Sequence, residues 1–261
     1  MRGIVWICLF CCSFVAQAQQ LRIITIVEPP ASYLDSHGRV TGYSVDIVQA
    51  IQRSLEDKTE IEVMPEARAI HLARTEPNVL VFSFSRTDKR EDEFYWISQL
   101  SVKAWSVYAL STNPIKISSM DQLRQAKSIG VVRGDIREEW LKEQNFANLH
   151  LSVNHQQNIN RLRSERLELI AYESQGIQHL LWEAGLSSDD IKTVFELKKS
   201  DVYLMMSKPG TDPKLMEKWK KAAEQFRQSG QQQFIAEKWQ LILNQHHGID
   251  TEIKNAVLHF Q

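Results

Sequence analysis

The chain has 261 residues, of which 43% are hydrophobic and 24% charged, and its 31 Lys and Arg nearly balance 32 Asp and Glu. This composition is typical of a globular protein and excludes the disordered and the small disulfide-rich classes. Because the formal net charge is only −1, the basic excess typical of nucleic-acid-binding proteins is missing, and no nucleic-acid partner is expected. The length allows one large domain or two of roughly 100–150 residues.

Residues 1–18 have the pattern of a secretory signal peptide. Arg2 supplies a positive charge, residues 4–15 are apolar except for Ser13, and Ala16-Gln17-Ala18 has the small residues that signal peptidase accepts. The apolar run is shorter than the roughly 20 residues that span a bilayer as a helix. We therefore expect cleavage after Ala18 and a location in the bacterial periplasm, with an uncleaved membrane anchor as the alternative. All three cysteines lie in this segment, so the mature chain is expected to form no disulfide.

The rest of the chain alternates between predicted strands and predicted helices. Runs of β-branched and apolar residues predict strands at 21–27, 61–64, 79–84, 102–110, 128–132, 167–172 and 202–206. Apolar residues at helical spacing predict helices that start at Gly42 and near Ser118, and helices over 137–145, 156–164, 176–184, 213–227 and 231–243. This alternation predicts an α/β protein with mostly parallel strands.

No motif for catalysis or for a cofactor stands out. The sequence contains no P-loop, no dinucleotide-binding glycine pattern, no nucleophile elbow and no HExxH zinc motif. Arg133-Gly134-Asp135 spells an adhesion tripeptide, but it follows a predicted strand, which favours a strand-to-helix turn. His246, His247 and His259 do not have the spacing of a standard metal-ligand set. We therefore expect no cofactor, no metal and no catalytic residue.

Three sequence blocks follow one another in the order and at the distances of a known family. They are residues 42–48 (GYSVDIV), residues 82–91 (FSFSRTDKRE) followed by Phe94 and Ser98, and residues 225–239 ending in FIAEKW. In this arrangement the chain resembles the family 3 periplasmic solute-binding proteins, which feed ABC transporters for polar amino acids. The resemblance extends over residues 21–239. It implies capture of a small solute, expected to be an amino acid or a related carboxylate, and delivery to an ABC transporter permease.

The resemblance also implies the type II periplasmic-binding-protein fold, in which two mixed sheets flanked by helices are joined by two crossover strands that act as a hinge. Lobe 1 would comprise residues 19–108 and 200–261, and lobe 2 would comprise residues 109–199. The crossovers would lie near residues 107–111 and 194–197. Such receptors generally act as monomers, so a monomer is expected. The tail 244–261 continues past the usual end of the family.

An amino acid carries a carboxylate and an ammonium, so its site needs a cation, hydrogen-bond donors and an acid. The resemblance assigns Arg90 to the position whose guanidinium grips the α-carboxylate, and Ser83 and Ser85 to positions that offer carbonyl and hydroxyl groups. Arg86 is a second cation nearby and could compete for the carboxylate. The alternative for both arginines is an exposed loop in which they pair with neighbouring acids.

The second half of the expected site departs from the family pattern. Gly134 corresponds to the glycine that lets helix amides approach the carboxylate, but Asp135 and Ile136 follow it where the family usually has small hydroxyl residues. An aspartate is a good helix N-cap, and it would repel a carboxylate if it pointed inward. Glu173 corresponds to the acid that pairs with the α-ammonium; an exposed surface glutamate is the alternative.

Three further residues are candidates for the walls of the site. Glu28 and Tyr33 flank a Pro-Pro loop, where the family usually has an acid and an aromatic residue; an aromatic wall would add apolar area and, for a cationic ligand, a cation–π contact. Arg68 lies near a position that is often aromatic and could face the cleft. If Arg68, Arg86 and Arg90 all face the cleft, an acidic ligand is a further hypothesis.

Two other functions stay open at this point. One is a ligand-sensing periplasmic module whose closed form binds a membrane sensor. The other is a dehydratase-like enzyme on the same fold, in which Glu173 could act as a general acid or base. No second residue stands out as a catalytic partner for Glu173, so binding is the leading expectation.

Overall fold

The computed structural model describes residues 20–247 and 249–260. The predicted signal peptide and the side chains of His246 and His247 lie outside this description. The strands are β1 (Arg22–Thr25), β2 (Tyr33–Leu34), β3 (Val40–Thr41), β4 (Ile61–Val63), β5 (Val79–Ser85), β6 (Phe94–Leu110), β7 (Ile129–Val132), β8 (Leu149–Ser152), β9 (Leu169–Glu173), β10 (Ile191–Ser207), β11 (Thr251–Lys254) and β12 (Val257–Phe260). The helices are α1 (Tyr43–Ser54), α2 (Glu66–Thr75), α3 (Met120–Arg124), α4 (Ile136–Glu143), α5 (His155–Arg163), α6 (Ile177–Glu183), α7 (Pro213–Gln228) and α8 (Gln231–His247).

The main sheet is mixed and continuous, with the strand order β4-β1-β5-β10-β6-β9-β7-β8. At one end β1 pairs in parallel with β4 and β5, and at the other β7 pairs in parallel with β8 and β9. Two long antiparallel strands, β6 and β10, lie between these parallel sets and pair along their full lengths. The predicted α/β class is therefore confirmed as a mixed sheet flanked by helices.

The strands β6 and β10 are longer than the sequence predicts. The predicted strands 102–110 and 202–206 are only the parts with the least interrupted apolar runs, whereas both structural strands have 17 residues. Along β10, buried and half-exposed residues mix with exposed charges such as Glu196 and Lys199. Pairing with β6 holds this polar stretch in strand conformation, which its own residue pattern does not indicate.

Helices cover both faces of the sheet because its strands are apolar on both faces. Successive strand side chains point to opposite faces, so Ile23 and Leu80 contact a cluster with α1, α7 and α8, while Ile24 and Val79 contact α2. The larger cluster includes Tyr43, Ile47, Phe82, Trp219, Phe226 and Trp239. A corresponding arrangement surrounds β7 and β9, with α3 and α4 in one cluster and α5 and α6 in another.

The start of α1 depends on a glycine. Gly42 has φ of +133°, and a Cβ added there would lie 2.3 Å from the carbonyl oxygen of Ala31. Only glycine fits this close backbone approach, which packs the loop that follows β1 against the start of α1. The same loop carries Glu28 toward the site described below.

The C-terminal tail forms a hairpin that adds to the main sheet. The strands β11 and β12 pair with each other, and β12 pairs in parallel with β6 through Leu258 and His259. Leu258 and Phe260 are fully buried in the cluster around α1 and α8. The backbone N–H of Leu258 donates to the Tyr43 hydroxyl at 3.3 Å. The tail beyond residue 243 is therefore part of the core of this protein.

Among the residues that the structure describes, no helix combines the length and the hydropathy needed to cross a membrane.

The buried position of Leu258 predicts a large loss of stability on truncation. We expect Leu258→Ala to lower the free energy of unfolding by about 2–5 kcal/mol, because it removes apolar contacts and leaves a cavity. Leu241→Ala on the exposed side of α8 is the matched control, since Leu241 is 57% exposed, and it should change stability by less than about 0.5 kcal/mol. Urea denaturation of both variants measures the difference, and equal losses would contradict the tail's place in the core.

Candidate functional site

A small cavity lies where the end of β5 faces the start of α4. Its volume is about 30 Å³, which admits a water molecule but is too small for an amino acid. It is lined by Ile26, Glu28, Glu66, Ser83, Phe84, Ser85, Arg90, Lys103, Trp105, Asp135, Ile136 and Arg137. Six of these residues are charged, so the cavity is a cluster of ionic groups between strand ends and helix starts.

A β-bulge shapes the β5 side of the cavity. Tyr203 pairs with Phe84 and Leu204 with Phe82, so Ser83 has no partner in β10. Ser83 has φ of +73°, a left-handed conformation that is uncommon for a residue other than glycine. Its buried hydroxyl lies 3.3 Å from the hydroxyl of Ser32. Backbone strain of this kind is concentrated at functional sites, and here it directs the end of β5 toward the cavity.

Arg90 brings a buried and weakly bonded guanidinium to the cavity. It is the last residue of a short 3₁₀ turn, Asp88–Arg90, and its side chain is 14% exposed. Its Nη1 donates a long hydrogen bond of 3.4 Å to the carbonyl oxygen of Ser85, and its Nη2 lies 4.0 Å from the Glu66 carboxylate. Burial lowers the pKa of Arg90, and Glu66 only partly offsets this effect. Since a guanidinium has five N–H donors, most of the hydrogen-bonding capacity of Arg90 is unused within the described residues.

Lys103 is a buried cation between two carboxylates. It projects from the middle of β6, its side chain is 6% exposed, and its ammonium contacts Glu28 and lies 2.5 Å from Glu173 Oε2. Burial by itself would lower the pKa of Lys103, but the carboxylates of Glu173 and Glu28 outweigh burial and raise the pKa above its usual value. Lys103 therefore stays charged and ties the end of β9 to the loop after β1.

Arg137 continues the ionic cluster on the α4 side. Its Nη1 lies 3.7 Å from Glu173 Oε2, and its Nε donates to Asp135 Oδ1 at 2.8 Å. The Asp135 carboxylate is also 3.4 Å from His155 Nε2. Burial would raise the pKa of Asp135, but Arg137 and His155 hold it well below its usual range. Asp135 also caps α4 by accepting from the backbone N–H of Arg137 at 2.8 Å, as its predicted N-cap role requires.

Glu28 and Glu173 differ in how many cations they contact. Burial would raise the pKa of Glu173, but Lys103 and Arg137 together lower it. Glu28 contacts Lys103 alone; burial raises its pKa to about 8, and the charge of Glu173 adds to this increase. When two carboxylates share one ammonium, the one without a second cation takes up the proton more readily. Glu173 is thus the ionised carboxylate of the pair, and Glu28 is the carboxyl group that more readily holds a proton.

The structure brings most of the predicted site residues together. Glu28, Ser83, Ser85, Arg90, Asp135 and Ile136 line the cavity, and Glu173 joins them through Lys103. Arg86 instead pairs with Glu91 and stacks between the rings of Trp96 and Tyr203, at 5.3 Å and 5.1 Å from their centroids. The loop alternative described above for Arg86 is therefore the arrangement found.

Three other candidates lie away from the cavity wall. Arg68 is exposed on α2. Tyr33 lines a separate apolar groove that also contains Trp182. The backbone N–H of Gly134 donates to Glu138 at 3.1 Å, so this amide is already occupied by a side chain of the protein.

Sequence reasoning missed the two cations that neutralise the acids, Lys103 and Arg137. A signal for Lys103 was available, because it is the one charged residue in the run SVKAWSVYAL (101–110). A lysine within a buried strand needs carboxylate partners. Arg137 carried no such signal, since arginine is common in the first turn of an exposed helix. Trp105, which is 1% exposed, is a further wall residue that the sequence analysis did not name.

The raised pKa of Glu28 predicts a pH-dependent stability. Glu28 keeps its proton up to about pH 8 in the folded state, whereas its ordinary value is 4.5. The free energy of unfolding should therefore fall as pH rises from 5 to 8, by at most about 1.4 kcal/mol per pH unit from this group. Glu28→Gln should remove this contribution. Urea denaturation across the range measures the difference, with the exposed Glu143→Gln as control; equal slopes for wild type and Glu28→Gln would contradict the assignment.

Comparison with solved structures finds the same fold in proteins of low sequence identity. A histidine kinase sensor domain with similarity to periplasmic binding proteins matches with a TM-score of 0.72 and 16% identity, over 84% of this chain and 96% of that one. An ancestral arginine-binding protein bound to arginine matches with a TM-score of 0.68 and 22% identity, over 84% and 97%. A putative L-cystine ABC transporter from Listeria monocytogenes matches with a TM-score of 0.66 and 20% identity, over 84% and 94%. At these identities the likeness establishes the fold.

The sequence itself identifies the family. No curated protein matches the chain. The family model for bacterial extracellular solute-binding proteins, family 3, matches residues 21–242, which is most of the chain. The predicted resemblance is thus confirmed over nearly the same residues, and the chain belongs to the bacterial extracellular solute-binding proteins of family 3.

Proposed function

We propose that this protein captures a small carboxylate-bearing solute, an amino acid or a related acid, in the cleft around the cavity. The observation that carries the proposal is the guanidinium of Arg90, which is buried, faces the cavity and has most of its N–H donors unused. A buried cation with free donors is the group that a carboxylate satisfies with charge-assisted, bidentate hydrogen bonds. The hydroxyls and carbonyls of Ser83 and Ser85 lie on the same wall and would complete the contacts.

The cavity is too small for such a solute, so we propose that binding involves opening along the two long strands β6 and β10. On this view residues 19–108 and 200–261 form one lobe and residues 109–199 form the other. The hinge lies where the paired strands β6 and β10 pass from one lobe to the other. The ionic contacts of Lys103 and Arg137 would then link the two lobes in the closed state. Hinge closure around a ligand is the usual motion of two-lobed binding proteins.

Family membership supports a location outside the cytoplasm. We further propose that residues 1–18 are removed as a signal peptide, that the mature protein acts as a periplasmic monomer, and that an ABC transporter permease receives the ligand.

Solved proteins with this fold include amino-acid-binding proteins, which supports an amino acid or a related acid as the solute. The carboxylate of Glu173 is engaged by Lys103 and Arg137, which supports binding over a dehydratase-like reaction.

A ligand-sensing role is the second candidate function, supported by the sensor domain of the histidine kinase that has this fold. The delivery role and the sensing role predict different effects of deleting the protein from the cell. If the protein delivers ligand to a permease, its deletion should abolish high-affinity uptake of the radiolabelled ligand. If uptake is unchanged and a transcriptional response to the ligand disappears, the sensing role is favoured instead.

The role of Arg90 is tested by a ligand screen. Mature protein refolded from denaturant, to remove ligand carried through purification, is screened by thermal shift against amino acids and small mono- and dicarboxylates. A ligand at 100 times its Kd adds about 2.7 kcal/mol of stability. Arg90→Ala should weaken the Kd of a stabilising carboxylate by about 10- to 100-fold.

Arg86→Ala is the matched control for this experiment. Arg86 lies four residues from Arg90 but pairs with Glu91 outside the cavity, so its removal should leave the ligand Kd unchanged. If no carboxylate stabilises the wild-type protein, or if the two variants bind equally well, Arg90 is not a carboxylate-binding group and the proposal is wrong.

A further inference from the structure

Of the acids around this cavity within the described residues, Glu173, Glu28 and Asp135 each contact a cation of the chain, whereas Glu66 is 56% exposed and lies 4.0 Å from Arg90. Glu173 lies 2.5 Å from the ammonium of Lys103 and 3.7 Å from the guanidinium of Arg137. Glu28 contacts the same ammonium of Lys103. Asp135 is engaged by Arg137 through its Nε and Nη2. Lys103 thus occupies, from within the protein, the place beside Glu173 that an amino acid's own ammonium would need.

Displacing Lys103 would be unfavourable. In the closed arrangement its side chain is 6% exposed and its ammonium contacts both Glu28 and Glu173, so a ligand bound in that arrangement could displace it only by breaking buried contacts. A buried ammonium separated from its carboxylates costs several kcal/mol. An incoming ammonium that left Lys103 in place would lie next to two fixed cations, Lys103 and Arg137, and would be repelled by both.

The guanidinium of Arg90, unlike the acids on the other side of the cavity, has few contacts within the protein. Arg90 makes one long hydrogen bond and a contact of 4.0 Å to Glu66, whose side chain is 56% exposed and screened by water. Of the enclosed groups, Lys103, Arg137 and Arg90 are cations, while Glu173 and Asp135 are the carboxylates that their neighbours keep ionised. Among the described residues, Arg90 is thus the cation of this cluster that contacts no enclosed carboxylate, and the carboxylate of a ligand would supply that partner.

We infer that Lys103 determines specificity, and that the solute of this protein is a small organic carboxylate without an ammonium group. This inference rests on the proposed function and narrows its ligand class. The carboxylate binds Arg90, and Lys103 supplies internally the positive charge that an amino acid would bring to Glu173. Amino acids are excluded by the same residue, because their ammonium meets Lys103 and Arg137 instead of a free acid.

The inference is tested with pairs of compounds that have the same carboxylates and differ at the amino group. Isothermal titration of the refolded mature protein compares L-lactate with L-alanine, and glutarate with L-glutamate. For each pair in which either compound binds, we expect the compound without the amino group to bind at least about tenfold more tightly.

A double variant tests the part played by Lys103. Lys103→Met alone leaves buried carboxylates without their cation and could fail to fold, so the double variant Lys103→Met/Glu28→Gln removes one positive and one acidic group together. Glu173 then loses its nearest cation, and the preference against the amino compounds should shrink by about tenfold or more. Lys192→Met is the matched control, because Lys192, on the neighbouring strand β10, donates to the carbonyl of Asn113 and its loss should leave the preference unchanged.

The outcomes separate the two proposals. Suppose that the wild-type protein binds L-alanine at least as tightly as L-lactate, or L-glutamate at least as tightly as glutarate. Lys103 then does not exclude the ammonium of a ligand, and the inference is overturned while the proposed function stands. If the double variant folds and keeps the full preference, Lys103 is not the determinant and the inference is also overturned. If no compound of either pair binds, the inference and the proposed function fail together.

Discussion

The arrangement of the site depends on one buried ammonium. Lys103 projects from β6 between the loop after β1, which carries Glu28, and the end of β9, which carries Glu173. A charge buried in this way is tolerated only when carboxylates neutralise it and hydrogen-bond to it. The contacts of Lys103 therefore hold three separate chain segments at one point, and Arg137 extends the same cluster to the start of α4. The tightness of the cavity follows from these ionic contacts.

The other wall is arranged by backbone geometry. The bulge at Ser83 turns the end of β5 toward the cavity, and the short turn that follows brings Arg90 in beside it. One wall thus presents a guanidinium with unused donors, and the other presents acids whose charges are already balanced. In the function that we propose, this asymmetry selects the ligand, because a ligand gains most from the group whose bonding is incomplete. The same fold is found in an arginine-binding protein and in a histidine kinase sensor domain, so a function must be argued from the site and not from the fold.

Much of the fold was predictable because it follows from local patterns. The apolar runs of β1, β5 and β7, the amphipathic helices α1 and α7, and the three family blocks all lie in the sequence itself. The polar part of β10 and the start of β6 were not predictable, because strand pairing stabilises them more than their own residues do. The hairpin β11–β12 was missed for a similar reason: its burial comes from a distant contact with β6 and α1.

The sequence by itself determined the α/β class, the family, and the candidacy of Arg90, Glu173 and Glu28, since these follow from residue type at recognisable positions. It could not decide between Arg86 and Arg90. That choice depends on Glu91, Trp96 and Tyr203 holding one guanidinium outside the cavity while the other stays inside. Nor could it show that Glu173 is already neutralised. The partner, Lys103, lies 70 positions earlier in the chain, and only the antiparallel pairing of β6 with β9 brings the two charges into contact.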